Sequence, residues 1–146
     1  MGGTVTLSRE TTIQLLSRTR LFAGVDAEGL GRIADRISEI DLPAGRVIAR
    51  QGEIGTGFFV LASGSVRVIR DGETLAELGP GDFFGELSVL DGKPRNAQVV
   101  SKEPTTCLAL ASWDFEAVVR EQPSVALAIL RELAGRLRES HEAHHH

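Results

Sequence analysis

Between residues 46 and 110 the sequence consists of short apolar segments separated by glycine-containing turns, and this spacing is the strongest constraint on the fold. The segments are too short for ordinary helices, and several alternate apolar with polar residues as half-buried strands do. The predicted strands are residues 46–49, 58–61, 65–70, 74–78, 97–100 and 105–110. Asp71-Gly72, between two of them, is a strong hairpin signal. Many short strands at close spacing predict a β-barrel or jelly roll.

Helical patterns flank these strands on both sides. On the N-terminal side, Ser8 is predicted to cap a first helix and Asp26 a second. On the C-terminal side, Ser112 is predicted to cap a helix that ends at Pro123, and a last helix follows over about 124–139. The residues of the last helix predicted near its core-facing side are Val125, Ala128, Ile129, Leu133 and Leu137. The predicted fold class is therefore mainly β with flanking helices.

The composition argues against several classes of protein. A net charge of −4 over 146 residues disfavours direct nucleic-acid binding, which needs a basic face. No apolar run is long enough for a membrane span, so we expect a cytoplasmic protein. Cys107 is the one cysteine and leaves no partner for an intrachain disulfide. The tail, residues 141–146, ends in three histidines and is interpreted as a purification-tag remnant.

The stretch over residues 85–97 carries the candidate binding site. Gly85 has no Cβ, so a ligand can approach its backbone, and the first amides of a predicted helical turn at 86–90 point outward at such a ligand. Glu86 can accept hydrogen bonds from hydroxyls, and Arg95, near which a strand is expected to begin, offers a planar fork suited to phosphate. Together these residues predict a site for a small phosphorylated ligand that bears a sugar.

This stretch resembles the phosphate-binding cassette of the cyclic nucleotide-binding domain, the family of catabolite activator proteins, protein kinase A regulatory subunits and cyclic nucleotide-gated channels. The resemblance covers about residues 15–140, after a lead-in at 1–14, and implies a jelly-roll barrel with N-terminal helices and a C-terminal lid helix at the end of 112–140. It implies that Glu86 holds the ribose 2′-hydroxyl and that Arg95 pairs with the cyclic phosphate. The ligand-binding residues implied by the resemblance are Gly85, Glu86, Leu87, Ser88, Arg95, Asn96 and Ala97.

Asn96 departs from the Ser or Thr that the family usually carries after the arginine. Its amide can still donate to a phosphate oxygen or a base edge. The family partly sets the choice between cAMP and cGMP at this position, and cAMP is the favoured ligand here.

The resemblance also implies that the last helix moves on ligand binding and acts on an effector domain or partner protein that this sequence does not include. Candidate pocket-wall residues are Val66, Leu75, Ala76 and Phe84. Candidate lid residues are Leu130, Arg131 and Leu133, with Arg136 a further possibility. The face of the last helix that bears Ala126, Ile129, Leu130, Leu133 and Leu137 could form a homodimer contact.

An enzyme is not predicted, and neither a catalytic residue, a metal nor a cofactor is expected. All four histidines lie in the C-terminal tail, so no predicted strand supplies the histidine ligands of a metal-dependent cupin or the base of a hydrolase. No recognition helix follows the last predicted helix. The alternative that stays open is a degenerate domain that binds no nucleotide and acts as a protein–protein assembly module.

Overall fold

The computed structural model describes residues 7–55 and 57–144, and for residues 87–89 and 142–144 it describes the backbone alone. These residues form two four-stranded antiparallel sheets that pack face to face, with helices against the first sheet. The strands are β1 (Ser38–Leu42), β2 (Val47–Ala49), β3 (Gly57–Ser63), β4 (Val66–Arg70), β5 (Glu73–Leu78), β6 (Phe83–Phe84), β7 (Gln98–Ser101) and β8 (Thr105–Ala111). The helices are α1 (Arg9–Arg18), a 3₁₀ helix (Arg20–Phe22), α2 (Ala27–Ala34), α3 (Glu86–Asp91), α4 (Ser112–Glu121) and α5 (Pro123–His144).

The strand order confirms the predicted jelly roll. One sheet has the order β1-β8-β3-β6 and the other β2-β7-β4-β5, so strands far apart in the chain are neighbours in each sheet. The predicted hairpin joins β4 to β5, and its Asp71 and Gly72 both have positive φ, 52° and 79°. A two-residue type I′ turn requires that conformation at both positions, which explains the Asp-Gly pair.

Strand β3 contributes to two separate cores because its side chains alternate between the two faces of the first sheet. Phe58 and Val60 belong to the helix-side core, where Phe58 lies 5.6 Å from the Phe22 ring, centroid to centroid. Leu61 and Phe59 belong to the inter-sheet core, which fills the space between the two sheets. The first sheet is therefore a partition between the helices and the interior of the roll.

Two of the three predicted helix caps are confirmed. Ser8 Oγ accepts a hydrogen bond from the Thr11 amide at 3.1 Å, and Asp26 Oδ1 accepts one from the Gly29 amide at 2.8 Å. The prediction that Ser112 caps α4 is wrong. Strand β8 runs directly into this helix, so Ser112 is its first helical residue and the extended residue before it occupies the cap position without a side-chain bond.

Strands β1 and β6 were missed by the sequence analysis. β1 has the sequence Ser-Glu-Ile-Asp-Leu and pairs along its full length with β8. Its two carboxylates make the segment too polar to be recognised as a strand from the sequence. β6 has two residues, too few for any periodic signal. The second helix, whose start the sequence predicted at Asp26, ends at Ala34.

Helix α5 contacts the core with its first half. Val125, Ala128 and Ile129 are buried in the helix-side core as predicted, whereas Leu137 is 61% exposed, so its assignment to the core-facing side is wrong. The helix continues to His144, beyond the boundary suggested at residue 140. Arg20 of the 3₁₀ helix pairs with Glu132 at 2.8 Å and with Glu139 at 2.7 Å, which ties α5 to the N-terminal segment.

Candidate functional site

A cavity of about 190 Å³, here called the inner cavity, lies between the two sheets beside α3. Its described lining residues are Ala49, Val68, Leu78, Phe83, Phe84, Gly85, Glu86, Arg95, Asn96, Ala97 and Val99. Gly85, Glu86, Arg95, Asn96 and Ala97, five of the seven ligand-binding residues predicted from the sequence, thus lie around one cavity.

Gly85 is required by both its conformation and its surroundings. Its φ is +88°, a left-handed conformation that residues with a Cβ rarely adopt. A Cβ at this position would lie 2.6 Å from Arg95 Nη1 and 3.0 Å from the Gly57 carbonyl oxygen. The missing side chain therefore makes the space in which the Arg95 guanidinium lies.

The backbone of Arg95 is held by the turn between β2 and β3. The Arg95 amide donates to the Glu53 carbonyl at 2.8 Å, and the Gly52 amide donates to the Arg95 carbonyl at 2.8 Å. This pairing replaces the strand that was expected to begin near Arg95, since β7 starts at Gln98. Gly52 and Glu53, in the turn that follows β2, therefore help to position Arg95.

The guanidinium of Arg95 lies in the wall of the cavity. Its Nη2 donates to the Gly57 carbonyl at 2.9 Å, and a Cβ at Gly55 would overlap the guanidinium. Burial lowers the pKa of Arg95, and the carboxylates of Glu86 and Glu53 oppose that effect. A half-buried cation with donors left over is suited to binding an anion.

Glu86, the first residue of α3, places a buried carboxylate in the same cavity. Burial raises the pKa of this carboxyl group, while its own backbone amide, Arg136 and Arg95 act in the opposite direction. Its Oε2 atom is buried and has no hydrogen-bond partner among the described residues. A buried acceptor without a partner is costly unless a ligand supplies a donor.

Helix α5 approaches this cavity through Arg136, which does not line it but contacts one of its lining residues. The Arg136 guanidinium carbon lies 5.4 Å from the centre of the Phe83 ring, a cation–π arrangement, and Phe83 lines the cavity. Its Nη1 atom is buried and has no hydrogen-bond partner within the described part of the chain. Arg136 of α5 and Arg95 of the cassette therefore both favour the charged form of Glu86.

The other candidate lid residues lie away from the inner cavity. Leu130 is 61% exposed and Arg131 is exposed, whereas Leu133 packs against the helix-side core. None of the three is among the described lining residues. Helical spacing alone could not distinguish them from Arg136, because the choice depends on where α5 crosses Phe83.

Of the four predicted pocket-wall residues, Phe84 lines the cavity and stacks on Phe59 at 5.0 Å between ring centroids. Val66 is fully buried in the inter-sheet core, and Leu75 and Ala76 are exposed on β5. The register of β4 and β5 shifts between Val68 and Ile69, so Leu75 is an extra residue without a paired partner.

Four lining residues were missed by the sequence analysis: Ala49, Val68, Leu78 and Phe83. The alternation of apolar and polar residues along β4, β5 and β7 predicts which positions face the interior. It does not show where in the roll a cavity forms. Leu87 and Ser88 belong to α3, and the roles proposed for their side chains lie outside the described atoms.

Other kinds of site receive no support from the described residues. In the described ranges, no three His, Cys, Asp or Glu side chains come together as a metal site. Burial raises the pKa of the Cys107 thiol to about 11, so the thiol stays protonated at neutral pH. Likewise, none of the described helices combines the length and apolar character needed to cross a bilayer.

The fold and this cavity define a class of protein. The family model for the cyclic nucleotide-binding domain matches residues 39–122, more than half of the chain. The chain belongs to the cyclic nucleotide-binding domain family, which confirms the resemblance drawn from the cassette.

Individual relatives make the likeness more specific. The chain is 39% identical over 125 residues to the cyclic AMP receptor protein of Thermus thermophilus, covering 82% of this chain and 58% of that protein. The N-terminal domain of a transcriptional regulator from Streptomyces coelicolor A3(2) superposes with a TM-score of 0.80 at 34% identity, covering 88% of this chain and 94% of that one. The regulatory domain of Toxoplasma gondii protein kinase A, crystallised with cAMP, superposes with a TM-score of 0.71 at 29% identity, covering 77% and 45%. The chain thus spans little more than half the length of its curated Thermus relative.

Proposed function

We propose that the domain is a cyclic nucleotide sensor that prefers cAMP to cGMP and transmits binding through α5. The observation that carries this proposal is the pairing, in one cavity, of a half-buried arginine with a buried carboxylate oxygen that lacks a partner among the described residues. The preference for cAMP is supported by two relatives, a cyclic AMP receptor protein and a kinase regulatory domain crystallised with cAMP.

The cyclic phosphate would bind at Arg95 and the first amides of α3. Arg95 currently donates to the Gly57 carbonyl, a neutral acceptor, and a phosphate would offer a charged one. Charge-assisted hydrogen bonds of this kind are roughly twice as strong as neutral ones, and partial burial strengthens them further. Phosphate binding therefore favours movement of the guanidinium away from Gly57.

The ribose would bind at Glu86. Its unpartnered Oε2 atom would accept a hydrogen bond from the 2′-hydroxyl. The ionised carboxylate accepts more strongly than the neutral acid, and the neighbouring Arg95 and Arg136 favour it against the effect of burial. The base would lie toward the apolar part of the lining, Val68 and Leu78, within reach of Asn96.

Arg136 would couple the ligand to α5. Its guanidinium, like that of Arg95, favours the charged form of Glu86, so a ligand that binds both cassette residues changes the electrostatic environment of α5. Such a change shifts the helix between two positions when the ligand interacts differently with them. The ion pairs of Arg20 with Glu132 and Glu139 stabilise α5 in the position seen here. The effector that responds to movement of α5 lies outside this sequence.

The same helix offers a surface for a second copy of the chain. Ile129 and Leu133, which the sequence had suggested for a dimer contact, pack against the helix-side core of their own chain. Leu130 and Leu137 of the suggested face are exposed, together with Leu127 and Ala134. Their alternating spacing of three and four residues is that of a coiled-coil seam, so we infer a helix pair as the mode of dimerisation.

Isothermal titration of the ligand-stripped domain with cAMP and with cGMP tests the proposed function. We expect micromolar or tighter binding of cAMP and weaker binding of cGMP. Arg95→Ala should weaken cAMP binding by about 10- to 200-fold, since a hydrogen bond to a charged group contributes roughly 1.5–3 kcal/mol. The control is Arg67→Ala, which removes a similar cation from β4, where it pairs with Glu77 at 3.6 Å. An Arg95→Ala affinity within a factor of about two of the unmodified domain would contradict the phosphate role.

The degenerate assembly module has two observations in its favour. The inner cavity holds about 190 Å³, below the roughly 300–1,000 Å³ of ordinary ligand pockets, and Arg95 already has an acceptor inside the protein. If the domain is a nucleotide sensor, the cavity must widen when the Arg95 guanidinium moves away from the Gly57 carbonyl. Absence of both heat and thermal stabilisation with either nucleotide would favour the module.

A further inference from the structure

A second, larger opening of about 500 Å³ adjoins the inner cavity, and we call it the outer cavity. Small residues on the inner faces of the strands leave this volume unfilled. Ser38 pairs with Ala109 across β1 and β8, and Gly57 pairs with Ala111 across β3 and β8, so these four positions share one face. All four line the outer cavity. The cavity is thus built into the sheet by its sequence.

The lining of the outer cavity combines an apolar floor with a charged rim. Ile40, Ile48 and Phe59 supply the floor, and Trp113 stands at the rim, where it is 63% exposed. Arg50 is exposed at the same rim and forms no ion pair with any described residue.

The other charges at this rim are largely compensated. Arg36 pairs with Asp114 at 3.2 Å and with Glu121 at 2.7 Å. Glu53 lies close enough to Arg95 to favour its charged form. Arg50 is therefore the cation at the rim most available to an incoming anion.

The two cavities share a wall. Ala49 and Arg95 line both of them, and they are the two described residues common to both linings. The Arg95 guanidinium lies in this wall, against Gly55 on one side and Gly85 on the other. A negative charge in the outer cavity would attract the same side chain that faces the inner one.

We propose that the outer cavity is a second ligand site, which binds an apolar aromatic carboxylate and thereby weakens nucleotide binding. The ring would lie on the apolar floor beside Trp113, and the carboxylate would pair with Arg50. Because this anion also draws Arg95 toward the outer cavity, the two ligands oppose each other. The site itself does not depend on the proposed nucleotide function, whereas the opposition between ligands does.

Trp113 is the one tryptophan of the chain, so its emission reports on the outer cavity without any label. Titration with 4-tert-butylbenzoate should change the emission saturably, with a Kd of about 1 mM or tighter, as expected for a fragment of this size. The uncharged 4-tert-butylbenzamide should bind at least about fivefold more weakly, since it forgoes the charge-assisted pair with Arg50. No saturable change up to about 10 mM benzoate would overturn the proposal.

Two variants locate the bound carboxylate. Ala109→Leu fills the outer cavity with a larger side chain and should abolish the emission change. Arg50→Gln, at an exposed position that does not threaten folding, should weaken the benzoate about fivefold or more and leave the benzamide unchanged. A response that persists in both variants would place the ligand elsewhere and overturn the proposal.

The opposition between ligands is measured by titrating cAMP with and without saturating benzoate. We expect the benzoate to weaken cAMP binding at least about threefold, a modest coupling for two sites that share a side chain. Unchanged cAMP affinity would overturn the shared role of Arg95. The emission titration needs no nucleotide, so it decides the second site even for a domain that binds neither cAMP nor cGMP.

Discussion

Replacement of Gly85 by alanine tests the packing of the cassette against Arg95. A residue with a Cβ at φ +88° carries a strain of about 1–3 kcal/mol, partly offset by about 0.4–1 kcal/mol because alanine restricts the unfolded chain. The new methyl group also meets Arg95 Nη1 at 2.6 Å and the Gly57 carbonyl at 3.0 Å. Overpacking of this kind costs about 1–3 kcal/mol more. The expected loss of unfolding free energy is about 2–5 kcal/mol, or roughly 5–15 °C in Tm for a domain of this size.

Gly81 provides a matched control. Its φ is +89°, nearly that of Gly85, and a Cβ there would have no atom within 4 Å. Gly81→Ala therefore carries the backbone strain without the crowding and should cost about 0.5–2 kcal/mol. The difference in unfolding free energy between the two variants, measured by urea denaturation, isolates the contact with the Arg95 site.

A double variant assigns the crowding to its partner. In an Arg95→Ala background, Gly85→Ala should be less destabilising by about 1 kcal/mol, because the guanidinium is gone while the contact with the Gly57 carbonyl stays. Equal destabilisation by Gly85→Ala and Gly81→Ala would refute the reasoning. A strictly additive double variant would show that Arg95 does not occupy the space beside Gly85.

Three further predictions follow from the site and from α5. Burial raises the pKa of Glu86 above its ordinary value of 4.5, so the folded domain binds more protons than the unfolded chain and its stability falls as pH rises from 4.5 through the raised pKa. Glu86→Gln should remove this fall in stability, measured by urea denaturation at a series of pH values. The same variant should bind cAMP more weakly in calorimetry. Asn96→Thr should change the ratio of cAMP to cGMP affinity. Leu130→Glu combined with Leu137→Glu should abolish a dimer measured by light scattering. Both side chains are exposed on the apolar stripe of α5, which consists of Leu127, Leu130, Ala134 and Leu137.

Each of these has a result that would count against it. Identical pH profiles for Glu86→Gln and the unmodified domain would mean that the carboxyl group is not desolvated. An unchanged ratio of nucleotide affinities would make Asn96 peripheral to base selection. A monomer at all concentrations, with and without cAMP, would show that the exposed stripe of α5 has no role in self-association. Arg138→Ala, outside the stripe, is the control for altered charge on this helix.

The sequence predicted the parts of the fold that are specified locally. Asp71-Gly72 fixes a hairpin by its own backbone preference, and Ser8 and Asp26 fix helix starts with single side chains. β1 escaped prediction because its pairing with β8 is a long-range feature, and its alternating carboxylates resemble a surface loop. Local chemistry could not supply what another part of the chain determines.

The same distinction applies to the site. The cassette provided Gly85, Glu86 and Arg95 within eleven consecutive residues, so spacing sufficed to bring them together. The roles of Gly57 and the neighbouring turn depend on a backbone pairing with a segment nearly forty residues later. Leu130 and Arg136 could not be ranked from helical periodicity, since the crossing point of α5 over Phe83 is set by the whole helix-side core.

The alternation of β3 between two cores has a consequence for how such a domain can diversify. Phe59 and Leu61 face the interior of the roll, and Phe58 and Val60 face the helices, so neighbouring residues serve separate purposes. Substitutions at the first pair can reshape what the roll accepts while the surface on which the helices rest keeps its form. A lineage can therefore alter the interior of the roll and the surface beneath the helices in independent steps, although both are encoded in the same seven-residue strand.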